Sequence, residues 1–260
     1  MLEKADNITP YSDVNTILHK LKSSVKAVLR EQFIGMYVHG SLASGDFNPE
    51  SSDIDFLVVT ANELSGKTIA ALKDMHACIT NSGSKWARKL EGSYIHQHAL
   101  KQYNPPDAPR PYVNEGNFHL VKYGSEWILE KHVLLEHGIV IEGPPLQTLI
   151  DPIKPDDIRQ ATLAILNEWW LPMLHDTTRL KSDEYQAYGV LTMCRILYTL
   201  KHGTIASKPV SAAWVKKEFN GQWTSLIELA LTWREGMHLS ILNELMNFIR
   251  FTLNQAKKVK

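Results

Sequence analysis

His39-Gly40-Ser41, followed after eleven residues by Asp53-Ile54-Asp55-Phe56, is the stretch that decides how this chain is read. Residues 35–39 (GMYVH) have the composition of a short buried strand. Residues 53–60 alternate and then run apolar through Ile54, Phe56, Leu57, Val58 and Val59, which predicts a second strand. The intervening residues 40–52 are rich in Gly, Ser, Asn and Pro, so they read as a loop or a loop with a short helical turn. Gly40 lets backbone approach a phosphate and adopt unusual dihedrals. Ser41 adds a hydroxyl donor, and the backbone N–H groups after it can point at phosphate oxygens. Asp53 and Asp55 lie two apart on the predicted strand and project from one face. Two neighbouring carboxylates repel unless a cation sits between them. Magnesium suits that place, because it takes one or two carboxylates together with substrate phosphates. An Asp-x-Asp pair alone is usually a solvated strand face and a lone Gly-Ser is usually a turn. It is their order between two strands that points to phosphate chemistry.

Outward from this segment, the spacing of Ile17, Leu18, Leu21, Val25, Val28 and Leu29 predicts a helix over residues 14–30. Residues 67–81 suit a second helix, with Ile69, Leu72, Met75, Ala77 and Ile79 turned inward. Residues 90–96 read as a third strand. Residues 102–117 hold four prolines (Pro105, Pro106, Pro109, Pro111), which argues against regular structure there. Residues 118–123 are expected as a strand or hairpin arm, 127–136 as a helix, and 139–142 as a short strand stopped by Gly143-Pro144-Pro145. No strand pattern follows. Asp156 or Asp157 is expected to cap a helix running towards Trp170. Helices are predicted over 185–201, with Gly203 as the stop, and over 211–219, 224–233 and 238–256. The expected organisation is an α/β (α+β) domain with a mixed sheet over residues 1–150, followed by a helical bundle over 151–260.

The 260 residues carry 28 Lys+Arg against 28 Asp+Glu, and this balance disfavours nonspecific nucleic-acid binding and polynucleotide elongation. Hydrophobic content of 44% with 22% charged residues fits a globular protein. Cys78 and Cys194 have neither metal-ligand nor disulfide-framework spacing. The first residues show no apolar signal segment and no run is long enough to span a bilayer, so a cytoplasmic protein without a membrane partner is expected. The eleven histidines show no HExxH-like spacing.

The Gly-Ser, spacer and paired-acid pattern resembles the signature of the DNA polymerase beta-like nucleotidyltransferase superfamily. GIVIEGPP (residues 138–145) and LTMCRILYTLKHGTIASKPVSAAW (residues 191–214) are similar to the aminoglycoside (3'')(9)-adenylyltransferase family, the streptomycin and spectinomycin resistance enzymes. The resemblance covers most of the chain. It implies a nucleotidyltransferase domain completed by the helical one, and a magnesium-dependent transfer of AMP from ATP to a hydroxyl of an aminoglycoside or aminocyclitol. Asp53 and Asp55 match the metal ligands. Glu91 stands where the family carries a third acid that shares the metal site and acts as general base. Gly40 and Ser41, helped by Ser52, match the triphosphate turn, and Arg195 and Lys208 match a nucleotide-binding arginine and lysine. A cationic amino sugar suits acids and aromatic faces, which makes Trp169, Trp170, Asp183 and Glu184 acceptor candidates. The chain also departs from the family. Tyr185 and Tyr188 occupy drug-recognition positions, and Trp233 replaces a tyrosine close to the nucleotide. A monomer is expected. The competing readings are transfer to another small molecule or a protein, and a nucleotide-binding regulatory module without catalysis.

Overall fold

The computed structural model describes residues 8–50, 52–101 and 109–258. Pro105 and Pro106 lie outside the described residues. The chain runs α1 (Ser12–Leu29), β1 (Phe33–Val38), α2 (Gly40–Ser44), β2 (Ile54–Thr60), α3 (Gly66–Thr80), β3 (Leu90–His96), α4 (Gln97–Lys101), β4 (Arg110–Asn114), β5 (Asn117–Val121), α5 (Glu126–His137), β6 (Ile139–Glu142), α6 (Leu146–Leu149), α7 (Pro155–Ile165), α8 (Asp183–His202), α9 (Lys208–Glu218), α10 (Thr224–Thr232) and α11 (Leu242–Ala256). It divides into two compact units. One takes the residues up to Gly124 with Val133–Pro152, and the other takes Ser125–His132 with the residues from Ile153 onward.

The first unit is built on a six-stranded mixed sheet in the order β5-β4-β3-β2-β1-β6. Only β2 and β3 pair in parallel, with Asp55 opposite Glu91, and the other neighbours are antiparallel. The apolar run of β2 reflects its central place, since it is covered on both faces. Ile54, Phe56 and Val58 join one buried cluster with Val14, Leu18, Leu21 and Val25 of α1 and Leu72 and Ile79 of α3. Burying a side chain such as Phe56 contributes about 1.5–3 kcal/mol. The period of two therefore turns Asp55 to the sheet face opposite α1 and α3.

Two expectations within this unit are corrected. A strand, β4, runs through Pro111, in the stretch that its prolines marked as irregular. β3 pairs only with Tyr112 and Val113, so Pro111 lies past the end of that ladder and its missing N–H breaks none of it. On α3 the buried positions are Leu72, His76 and Ile79, whereas Ala77 is exposed. Tyr94 explains the buried histidine: its hydroxyl lies 2.7 Å from His76 Nε2. After Gly40 the chain takes the second of the two forms expected, a loop with a short helical turn, since 40–44 close into one short helix ending at Gly45.

In the second unit α8 is central. Its buried residues Val190, Met193, Cys194 and Leu197 share a core with Ala212 and Val215 of α9, Ile227 of α10, and Leu245, Phe248 and Ile249 of α11. Ser182 caps α8 by accepting the Tyr185 N–H at 3.4 Å, and Gly203 ends it. α8 begins at Asp183 rather than 185 and α9 at Lys208 rather than 211, and two further helix starts differ from expectation. α7 begins at Pro155, and Asp157 reaches back to accept the Lys154 N–H at 3.2 Å instead of standing as the cap itself. It ends at Ile165, and a wider π-type turn carries the chain through Trp170. α11 begins at Leu242 rather than 238, because residues 238–241 are tied to α8: the Asp183 carboxylate accepts the Leu239 N–H at 3.0 Å and Gln186 accepts the Ile241 N–H at 3.2 Å.

Candidate active site

The first unit gathers the Gly-Ser turn and two of the acids at the adjoining ends of β1, β2 and β3. The ladder between β1 and β2 is extended by the His39 N–H, which donates to the Asp55 carbonyl at 3.0 Å. Gly40 follows with a φ of +62°, and a Cβ there would come within 1.9 Å of Asp55 Oδ2. The turn and the carboxylate thus share a space that only glycine leaves open. The Ser41 carbonyl accepts the Asp46 N–H at 3.1 Å, which closes the short helix. The hydroxyl of Ser52 accepts the Asn48 N–H at 3.0 Å, so this serine shapes the loop that delivers the acids.

Asp53, just before β2, lies 3.3 Å from the Lys89 ammonium and remains part-exposed. Glu91 sits beside Asp55 in the parallel register. Its carboxylate accepts a hydrogen bond from the hydroxyl of Tyr112 on β4. Gly92 lets β3 come close to β2 here, since a Cβ on it would lie 2.3 Å from the Phe56 carbonyl oxygen. His39 is enclosed enough that burial pushes its pKa down to about 4, against the pull of the Phe56 carbonyl, so the imidazole beside the turn is neutral near pH 7. Among the described residues no three His, Cys, Asp or Glu side chains form a group that would hold a metal ion unaided. The hard oxygens of Asp53 and Asp55 still fit magnesium, which draws its other ligands from phosphates and water.

The helical unit places the remaining candidates. Arg195 is part-buried on α8, and Lys208 opens α9 with its ammonium 5.8 Å from the Tyr188 ring centre. Asp183 is held by Leu239 and by the His238 ring, 3.0 Å away, and the Leu239 N–H and His238 hold its carboxyl below the usual range. Asp183 and Glu184 line a cleft of about 450 Å³ with Ser182, Trp233, Glu235 and His238. Trp233 forms its wall, its indole N–H donating to the Met237 carbonyl at 3.0 Å. The two tryptophans part company. Trp169 is 44% exposed, while Trp170 is 1% exposed and packs against Tyr185 and Tyr188. Trp170 is therefore corrected from acceptor candidate to core.

Comparison with known proteins shows where these two units have been seen before. Residues 20–101 match the nucleotidyltransferase domain model, and residues 148–256 match the model of the aminoglycoside adenylyltransferase C-terminal domain. Along nearly its whole length the chain is similar to the aminoglycoside (3'')(9)-adenylyltransferases. One such enzyme from Shigella flexneri is 24% identical over 95% of this chain and 97% of its own. A spectinomycin 9-adenylyltransferase from Campylobacter jejuni is 27% identical over 76% of each. The fold matches the crystal structure of a spectinomycin adenyltransferase from Enterococcus faecalis with ATP and spectinomycin. Its TM-score is 0.74 at 23% identity, over 93% of this chain and 98% of that one.

Two features of this adenylyltransferase relative were not foreseen from sequence. Tyr112 was hidden by the prolines around it. Once β4 is seen, the alternation of Arg110, Tyr112 and Asn114 places it on a defined face. The wall of Trp233, Glu235 and His238 comes from a non-helical stretch that lacks periodicity, and its pairing with Asp183 is long-range. Among the described residues, no helix is long and apolar enough to cross a membrane.

Proposed function

We propose that this enzyme transfers AMP from ATP to a hydroxyl group of an aminoglycoside or aminocyclitol, with magnesium, and releases pyrophosphate. The observation that carries the reading is the Gly40–Asp55 contact beside the Asp55–Glu91 pair. Asp53 and Asp55 would hold a magnesium ion, which would neutralise charge on the phosphates. Gly40 and Ser41 bring backbone and hydroxyl donors to the triphosphate, with Ser52 setting the loop behind them. Arg195 and Lys208 add positive charge for the nucleotide phosphates. Glu91 takes the proton of the attacking hydroxyl, and the Tyr112 hydroxyl fixes its carboxylate. The hydroxyl oxygen then bonds to the α-phosphorus as the bond to pyrophosphate breaks.

A cationic acceptor is supported by the cleft lined by Asp183, Glu184 and Glu235. The relatives named above are an aminoglycoside (3'')(9) adenylyltransferase and a spectinomycin 9-adenylyltransferase by name, and this chain is read as sharing that acceptor class. Purified protein with ATP, magnesium and spectinomycin or streptomycin should release pyrophosphate, and Asp53→Asn should abolish the release while the protein stays folded. Release with neither drug removes the drug assignment and leaves transfer to another hydroxyl compound. Release by Asp53→Asn at the parent rate removes the metal-ligand assignment.

A further inference from the structure

The two acids at the head of β2 face a pair of residues at the head of β3, and one of that pair is a cation. The parallel register sets Asp55 opposite Glu91. Two residues back on each side, Asp53 stands opposite Lys89, whose carbonyl accepts the Ile54 N–H at 2.7 Å. Alternation keeps residues two apart on one face, so Asp53, Asp55, Lys89 and Glu91 make a square of three acids and one ammonium. The side chains meet across it, with Lys89 Nζ 3.3 Å from Asp53 Oδ1. The lysine's backbone is fixed from the other side as well, since its N–H donates to the carbonyl of buried Trp86 at 3.1 Å. Its side chain is 42% exposed and that of Asp53 is 41% exposed, so the pair adds little to folding and stays open to ions from solution. The pair matters for what else Asp53 can hold. A magnesium ion on Asp53 would have to take the carboxylate from the ammonium or sit within a few ångströms of it. One positive charge about 5 Å from a dication, in a water-like medium, weakens the ion's hold roughly tenfold. Bound ATP would reverse that balance, because its phosphates bring negative charge to ion and ammonium alike.

We propose that Lys89 is the built-in counter-ion of this site: paired with Asp53, it holds off divalent metal ions until they arrive with a nucleotide. Lys89 is thus a positioning residue that makes metal and ATP bind as one unit. This rests on the metal-ligand part of the function proposed above and adds a residue to it. The test titrates manganese, a paramagnetic substitute for magnesium, into the parent protein, Lys89→Gln, Lys89→Arg and Asp53→Asn. Each is measured with and without a non-hydrolysable ATP analogue, and free ion is read by electron paramagnetic resonance. Lys89→Gln keeps the backbone bond to Ile54, so it should fold as the parent does, which melting in chelator checks. Without nucleotide, Lys89→Gln should bind manganese about tenfold more tightly than the parent, and Lys89→Arg should bind it as the parent does. With the analogue present, the gain in Lys89→Gln should shrink to roughly threefold or less. Manganese binding unaltered or weakened in Lys89→Gln, or an equal gain with and without the analogue, overturns the proposal. Asp53→Asn binding manganese as well as the parent removes the metal-ligand reading, and the proposal with it. Pyrophosphate release, measured separately, tells the two readings apart. Drug-dependent release by the parent with no manganese effect of Lys89→Gln sinks the counter-ion claim alone. The manganese effect without release on any drug supports that claim and removes the acceptor assignment.

Discussion

At Gly40 a single added methyl would sit 1.9 Å from an Asp55 oxygen, on a residue whose φ is +62°. Gly40→Ala therefore suffers twice, from the left-handed backbone and from a displaced metal ligand. We expect a stability loss of about 1–2 kcal/mol in urea melts. Catalytic efficiency towards ATP should fall by roughly two orders of magnitude, more than that stability loss explains. Tyr112→Phe removes one hydroxyl from Glu91 and leaves the strand intact. It should lower kcat about tenfold with KM for ATP little changed, because the base loses its orientation and the nucleotide keeps its ligands. A raised KM at unchanged kcat would place Tyr112 in nucleotide binding instead. The strand that carries Asp55 was legible from local alternation, whereas Glu91 was singled out by the family resemblance alone, and its place opposite Asp55 is a long-range pairing. Tyr112 and Lys89 were not legible, since their partners Glu91 and Asp53 are met only after folding.

The packing of α3 on β3 is controlled by a buried histidine. His76 is 2% exposed, contacts the Tyr94 hydroxyl at 2.7 Å, and stacks on Phe56 with ring centres 6.0 Å apart. Burial lowers its pKa from 6.5 to about 4, while the same burial raises that of the Tyr94 phenol. Between those two pH values the unfolded chain binds more protons at this histidine than the folded one. Stability should therefore be full above pH 6.5 and fall as pH drops towards 4, by up to roughly 3 kcal/mol from this group. Urea melts from pH 7.5 to 4.5 should show that slope, to which the buried His39 adds in the same window, and His76→Gln should reduce it by roughly half. An unchanged slope in the variant would move the acid sensitivity elsewhere. The strands around Gly40 and Asp55 were readable because β2 is a continuous apolar run. The span of β4 was not, because the proline penalty applies only where a ladder needs the N–H, and Pro111 lies beyond that ladder. The start of α11 was set by Asp183 and Gln186, fifty-odd residues away, which local periodicity does not contain.

For the molecule as a whole, the switch from alternating to helical patterning near residue 145 carried the fold class, since sheet and bundle leave different periods in the chain. If Lys208 serves the nucleotide, Lys208→Ala should raise KM for ATP roughly ten- to a hundredfold with no fall in Tm, as an exposed cation contributes little to folding. An unchanged KM would reduce it to a partner of Tyr188. In the proposed reaction the acids held beside Gly40 move an adenylyl group onto an antibiotic hydroxyl. Mass spectrometry of spectinomycin and streptomycin after incubation with the enzyme, ATP and magnesium tests it most directly. The drug should gain the mass of one adenylyl group, and Asp55→Asn should give no product. Unmodified drugs after incubation with folded parent enzyme, or equal product from Asp55→Asn, would contradict it.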